Sequence, residues 1–247
     1  MNFKDHFTKQ AESYAKFRPD YPDELFEFLA SVSPSKELAW DCATGSGQAA
    51  NGLAKYFNKV IASDASVNQV INAFKNERII YKVFPAEEAD IESSTVDLIT
   101  VAQALHWFNF ERFYSEVRRV LKKDGIIAVW LYDLVKISTE VDLITKRFDE
   151  EILKNYWPPE RQLFYDKYKG IPFPFKKVEA PEFEMAAKWT YNDLLGFLGT
   201  WSGTQKFRDG ENYDPLNLIR EELIKTWGDE EIRKATWELV LKIGKVS

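Results

Sequence analysis

Apolar residues follow two rhythms along this chain. From Leu38 to Tyr132, short apolar runs alternate with longer segments whose apolar residues recur every three or four positions. The runs 37–42, 59–63, 79–83, 96–102 and 125–132 predict strands, and 47–57, 67–75 and 110–122 predict the helices between them. Such alternation builds βαβ units around a mostly parallel sheet. Upstream, residues 4–16 carry Phe7, Ala11, Tyr14 and Ala15 at helical spacing and stop at Phe17-Arg18-Pro19. A second helix begins at Pro22 or Asp23 and turns Leu25, Phe26, Phe28 and Leu29 inward. Beyond Tyr132 the rhythm loosens. A helix over 138–155 precedes Pro158, Pro159, Pro172 and Pro174, which confine that stretch to turns and extended pieces, and 235–243 alternates as a last strand. Six of the eight tryptophans lie from Trp130 onward, so this half predicts an aromatic cap with its own small core.

With 247 residues, the chain suits one large domain or one domain with an insertion. Lysine plus arginine is 33 against 39 acidic residues, a net charge of −6, which argues against nucleic acid as partner. The longest apolar run, Ile126 to Tyr132, is far short of the ~18 residues of a membrane span, so no membrane partner is expected. Met1-Asn2-Phe3-Lys4-Asp5-His6 has no basic start leading into an apolar stretch, and Cys42 is the sole cysteine, so a cytoplasmic location is expected. Two histidines and no cysteine pair predict no metal site.

The most informative stretch is Leu38-Ala39-Trp40-Asp41-Cys42-Ala43-Thr44-Gly45-Ser46-Gly47-Gln48-Ala49-Ala50. An apolar strand runs into a glycine loop and then a helix, where backbone can approach a ligand closely. Gly45 to Ala50 alone also satisfies the dinucleotide fingerprint G-x-G-x-x-A. Asp41 favours a different ligand, because a carboxylate ahead of the glycines suits the cationic methionine end of S-adenosylmethionine better than a pyrophosphate. Asp64, 23 residues further on at the end of the next strand, is in place for ribose hydroxyls.

These residues resemble motif I of the class I S-adenosylmethionine-dependent methyltransferases of methyltransferase type 11, with Ala43 where the first glycine stands. An alanine there requires a negative φ. The resemblance implies an α/β Rossmann-like sheet of seven mostly parallel strands with a reversed last strand and helices on both faces. It divides the chain into N-terminal helices (1–36), a cofactor-binding core (37–132), a cap with remaining sheet elements (133–234) and a returning strand (235–247). Its implied cofactor set is Tyr14, Asp41, Ala43, Gly45, Gly47, Asp64, Ala65, Ala86, Glu87 and Gln103, the turn Phe84-Pro85-Ala86-Glu87 serving adenine.

Val101-Ala102-Gln103-Ala104-Leu105-His106-Trp107-Phe108, Phe17-Arg18-Pro19-Asp20-Tyr21-Pro22, Thr200-Trp201-Ser202 and Leu241-Lys242-Ile243-Gly244-Lys245 are similar to the trans-aconitate methyltransferase-like branch. That likeness implies a small-molecule acceptor and methyl transfer to a carboxylate, giving S-adenosylhomocysteine. A carboxylate is ionised at neutral pH and needs no base. Methylation of a hydroxyl or carbon on an aromatic or isoprenoid metabolite is the alternative, with His106 as its base. A non-catalytic scaffold with a protein partner is the third reading. Arg18 first and Arg208 second are candidates to hold an acid, with Trp107 and Trp201 closing the pocket. The sequence leaves the oligomeric state open.

Overall fold

The computed structural model describes residues 17–229 and 231–246, so the expected helix over 4–16 and Tyr14 lie outside the described residues. The first described helix, α1 (Asp23–Val32), buries Leu25, Phe26, Leu29 and Ala30, with Phe28 half-buried at its rim. Five strands follow close to their expected bounds: β1 (Leu38–Cys42), β2 (Lys59–Asp64), β3 (Ile79–Val83), β4 (Val96–Ala102) and β5 (Leu121–Tyr132). Between them run α2 (Gln48–Leu53), α3 (Val67–Ile71) and α4 (Phe110–Val120). These strands are mutually parallel where they pair. Buried on both faces, β4 reads as an almost continuous apolar run, the pattern of a central parallel strand. Its one charge, Asp97, is fully buried, and it accepts hydrogen bonds from Ser35 Oγ and the amides of Glu37 and Leu38. An ion pair with Lys122 at 2.8 Å completes its shell.

The cap comprises α5 (Thr139–Arg147), a π-helical turn (Phe148–Ile152), a 3-10 turn (Lys154–Tyr156) and α6 (Arg161–Tyr165). Two strands, β6 (Lys176–Lys177) and β7 (Glu184–Trp189), come next, then α7 (Tyr191–Gly199), α8 (Ser202–Glu211) and α9 (Arg220–Trp227). The expected helix over 138–155 is therefore broken, because a π turn takes over where Asp149 turns inward. The last strand, β8 (Arg233–Lys245), is longer than its apolar alternation indicates.

Seven strands stand in the order β3-β2-β1-β4-β5-β8-β6, and β8 runs antiparallel to β5, as the resemblance implies. Strand β7, which the apolar pattern does not reveal, pairs only with the first half of β8. One sheet face packs Trp40, Phe113, Val117 and Tyr168, and the other packs α1 and α2 through Leu25, Phe26, Ala50 and Leu53. The cap has its own core around Phe148, Leu194, Phe197, Trp201 and Trp237. Since β2 lies on one side of β1 and β4 on the other, the strand order reverses there, and the crevice at their carboxyl ends is where open sheets of this kind bind ligands.

Candidate active site

After β1 the backbone enters the left-handed region at Ala43 (φ 55°), Gly45 (φ 56°) and Gly47 (φ 86°). This overturns the expected negative φ at Ala43: the loop keeps a shape made for glycine, and its alanine carries the strain. Gly47 has no room for anything larger, because a Cβ there would lie 2.4 Å from Tyr81 Oη. At Gly45 a Cβ would meet nothing within 4 Å, so the loop is open at that point.

Asp41 is 1% exposed, and its carboxylate accepts from Thr44 Oγ1 (2.5 Å), Thr100 Oγ1 (2.7 Å) and the Ala50 amide (3.1 Å). Burial pushes this carboxyl up to about 6 against the pull of those donors. Asp41 thus ties the start of the loop to β4 and to α2. Asp64 accepts from the Gly45 amide at 3.0 Å and the Ser66 amide at 2.9 Å, with half-buried Ala65 between them in sequence. Ala86 is buried, and Glu87 beside it accepts from the Asn109 amide at 2.8 Å, tying the turn after β3 to the start of α4. Gln103, at the end of β4, is also left-handed (φ 58°), and its side chain donates to the Tyr132 carbonyl at 3.2 Å. Strain in a non-glycine residue at a strand end marks a position held by its surroundings.

Beyond Gln103 lies a cavity of about 90 Å³ whose walls include Arg18, His106, Trp107, Tyr132, Arg161 and Trp201. Of the sequence candidates, Arg18, His106, Trp107, Trp201 and Gln103 meet here. Arg18 donates to Tyr132 Oη at 2.8 Å and lies 5.3 Å over the Phe197 ring. Its place follows from Phe17, whose ring sits so close on α7 that a Cβ at Gly196 would lie 2.3 Å away. Arg208 does not reach the cavity wall. It pairs with Asp214 at 3.0 Å, clamping the end of α8 to the turn that follows, which corrects its expected acceptor role.

Arg161 borders the cavity that Arg208 does not reach. Its guanidinium lies 4.1 Å from the Trp157 ring, 3.9 Å from Phe164 and 5.9 Å from Trp201, and pairs at 3.2 Å with fully buried Asp149. The Tyr165 hydroxyl donates to the same carboxylate at 2.9 Å. Sequence reading passes over Arg161 because Pro158-Pro159-Glu160-Arg161 looks like a solvated turn. The available signal is its flanking by Trp157, Phe164 and Tyr165, each within four residues. His106 borders the cavity, packs at 4.7 Å on Trp107 and bonds through Nδ1 to Tyr168 Oη at 2.7 Å. Desolvation, and then the nearby Arg161 charge, push its imidazole down to about 3.

Residues 40–129 match the model of a methyltransferase domain family. Over 98% of its length the chain is 38% identical to a protein of Dictyostelium discoideum named as a methyltransferase, covering 95% of that protein. The chain is an S-adenosylmethionine-dependent methyltransferase. The methyltransferase is also 28% identical to the Saccharomyces cerevisiae protein CRG1, named as S-adenosylmethionine-dependent, over 80% of this chain and 81% of that one. A solved structure named as a type II methyltransferase of Anaeromyxobacter dehalogenans superposes with a TM-score of 0.85 at 39% identity, covering 93% of this chain and 98% of that one.

The family's cofactor fits what the loop offers: open space over Gly45, beside the Asp64 carboxylate that accepts the Gly45 amide. Among the described residues no group of three or more His, Cys, Asp and Glu side chains is arranged to hold a metal, and no helix is long and apolar enough to cross a membrane.

Proposed function

We propose that this methyltransferase esterifies a carboxylate of a small acid, the chemistry of the trans-aconitate methyltransferase-like branch that its motifs resemble. One observation carries the reading: two guanidinium groups, Arg18 and Arg161, border a single aromatic-walled cavity whose only histidine among the described residues is held uncharged. Burying an acid requires compensation for its charge, and planar guanidinium forks match a carboxylate. Asp149 offsets much of the Arg161 charge in the free protein and fixes its plane, so the fork is formed before the acceptor arrives. The aromatic rings around it exclude water.

In this reading the loop at Ala43–Gly47 and Asp64 hold the cofactor, Gln103 and Trp107 border the passage between it and the acceptor, and Arg18 and Arg161 orient the acid. When bound, S-adenosylmethionine supplies a methyl carbon that the carboxylate oxygen takes, the C–S electron pair returning to sulfur. The oxygen is already ionised, so no proton has to move. The aromatic walls also suit the apolar body of a hydroxylated metabolite, but that acceptor needs a base.

The test is turnover of a panel of small acids beside the matching alcohols and phenols, followed by S-adenosylhomocysteine release. Acids should turn over at a rate nearly flat between about pH 6.5 and 8.5. Arg161→Ala should raise the acceptor KM about 10- to 150-fold, the scale of hydrogen bonds to a charged group. Turnover of phenols or alcohols alone, rising with pH, would reject the carboxylate reading.

A further inference from the structure

We infer that Tyr168 locks His106 as the tautomer with its proton on Nε2, so that the histidine gives the acceptor a hydrogen-bond donor and does not act as a general base. The inference rests on the acceptor site proposed above for its use, but not for its geometry.

Tyr168 is 1% exposed, and its hydroxyl meets His106 Nδ1 at 2.7 Å. Among the described residues, His106 Nδ1 is the one group that hydrogen-bonds this hydroxyl. A phenol has one proton to give. A buried hydroxyl places its proton on a partner, so that proton goes to Nδ1, which must then be the bare nitrogen of the ring. Burial raises the Tyr168 phenol and lowers the imidazole, so the phenol keeps its proton and the imidazole stays neutral near pH 7. A neutral imidazole carries one ring proton, so it sits on Nε2. The charged groups on the cavity wall are Arg18, Asp133 and Arg161, with Asp149 behind Arg161. Arg161 opposes protonation of the ring, which keeps it a donor through Nε2 alone.

Tyr168 is thus a positioning residue. Its backbone is left-handed (φ 57°) next to a left-handed Lys167 (φ 51°), and the Lys242 ammonium donates to its carbonyl, so the segment holding the phenol is fixed from behind. The consequence for specificity is direct: an acceptor must present a lone pair to Nε2–H, and a hydroxyl acceptor finds no nitrogen to take its proton.

The experiment is 15N spectroscopy on histidine-labelled methyltransferase with S-adenosylhomocysteine bound. The chain has two histidines, so a His6→Gln background leaves one ring to read. We expect a protonated Nε2 and a bare Nδ1, unchanged from about pH 8 to about pH 5, where an ordinary histidine titrates near 6.5. Tyr168→Phe should mix the tautomers, bringing a proton onto Nδ1 in part of the population, while burial keeps the midpoint below that range. A proton on the wild-type Nδ1, or a wild-type midpoint between about 6 and 7, would overturn the inference, and this wild-type reading stands even if the Phe variant fails to fold. Acetate, with acetamide, ethanol and phenol as controls, is then titrated against the Nε2–H signal. A saturable shift with acetate alone supports the donor and the acid reading together. A shift with ethanol or phenol and none with acetate upholds the donor and sinks the acid reading, and no shift with any probe overturns the donor role.

Discussion

The two halves of the proposed active site are built by opposite means. On the cofactor side, three left-handed residues and two carboxylates within 24 positions shape a loop in which those carboxylates are held by three backbone amides and two threonine hydroxyls. On the acceptor side, Arg18, Gln103, His106, Arg161 and Trp201 converge from across the chain, and side chains hold one another through an ion pair, a phenol and stacked rings. Backbone shape tolerates little variation and serves one ligand shared by many enzymes. A cavity walled by side chains can change acceptor without disturbing the loop.

The contrast breaks first at Asp149. Asp149→Ala strands the Arg161 charge among aromatic rings, so urea unfolding should show a loss of about 3–5 kcal/mol while folded protein still binds S-adenosylhomocysteine. Comparable loss of cofactor binding in the folded fraction would mean that the halves are not independent. Asp64→Ala probes the other side. Removing the acceptor for the Gly45 and Ser66 amides should weaken S-adenosylhomocysteine binding by about 1–3 kcal/mol by calorimetry, with acceptor KM little changed.

A third effect depends on pH. The folded imidazole of His106 lies near 3, below its unfolded value of 6.5, so between these limits the unfolded chain binds a proton that the native state refuses. The stability His106 contributes is therefore complete above about pH 6.5 and declines as the pH falls toward 3. Between about pH 6.5 and 5, wild type should lose up to ~1–2 kcal/mol more than His106→Gln in parallel unfolding curves. Ala43→Gly should relieve left-handed strain, adding about 1 kcal/mol and raising Tm by about 2–4 °C. The smallest effect is expected at Arg208: its half-exposed pair with Asp214 is worth about 0.2–1 kcal/mol, and Arg208→Ala should leave the acceptor KM unchanged.

The same contrast explains what the sequence made legible. Strands β1, β2, β4 and the latter half of β5 stand out because buried parallel strands are mostly apolar, and the glycine loop stands out because its conformation restricts residue type. Ala43 misleads for the same reason, since the loop enforces a glycine geometry on an alanine. Strand β6 is two residues long, and β7 reads Glu-Met-Ala-Ala-Lys-Trp, too short and too mixed to announce itself. Asp149 hides in the run Asp149-Glu150-Glu151, where a π turn sends one carboxylate inward while its neighbours meet solvent. Arg161 has aromatic neighbours in sequence, but its buried ion pair with Asp149 and its approach to Trp201 appear only in the fold.

Strand β8 has a consequence for synthesis. Its residues Leu239–Lys245 pair with β5 and Arg233–Glu238 pair with β7, while Ala235 and Trp237 close the core of the cap. Every one of those partners precedes it in the chain. A ribosome-bound nascent chain that has emerged as far as α9 therefore exposes the bare edge of β5 together with an unsealed aromatic core, a combination prone to pairing with neighbouring chains. The same thirteen residues, once released, seal both at a stroke, which makes the interval before their arrival the period when chaperone protection matters most for this protein.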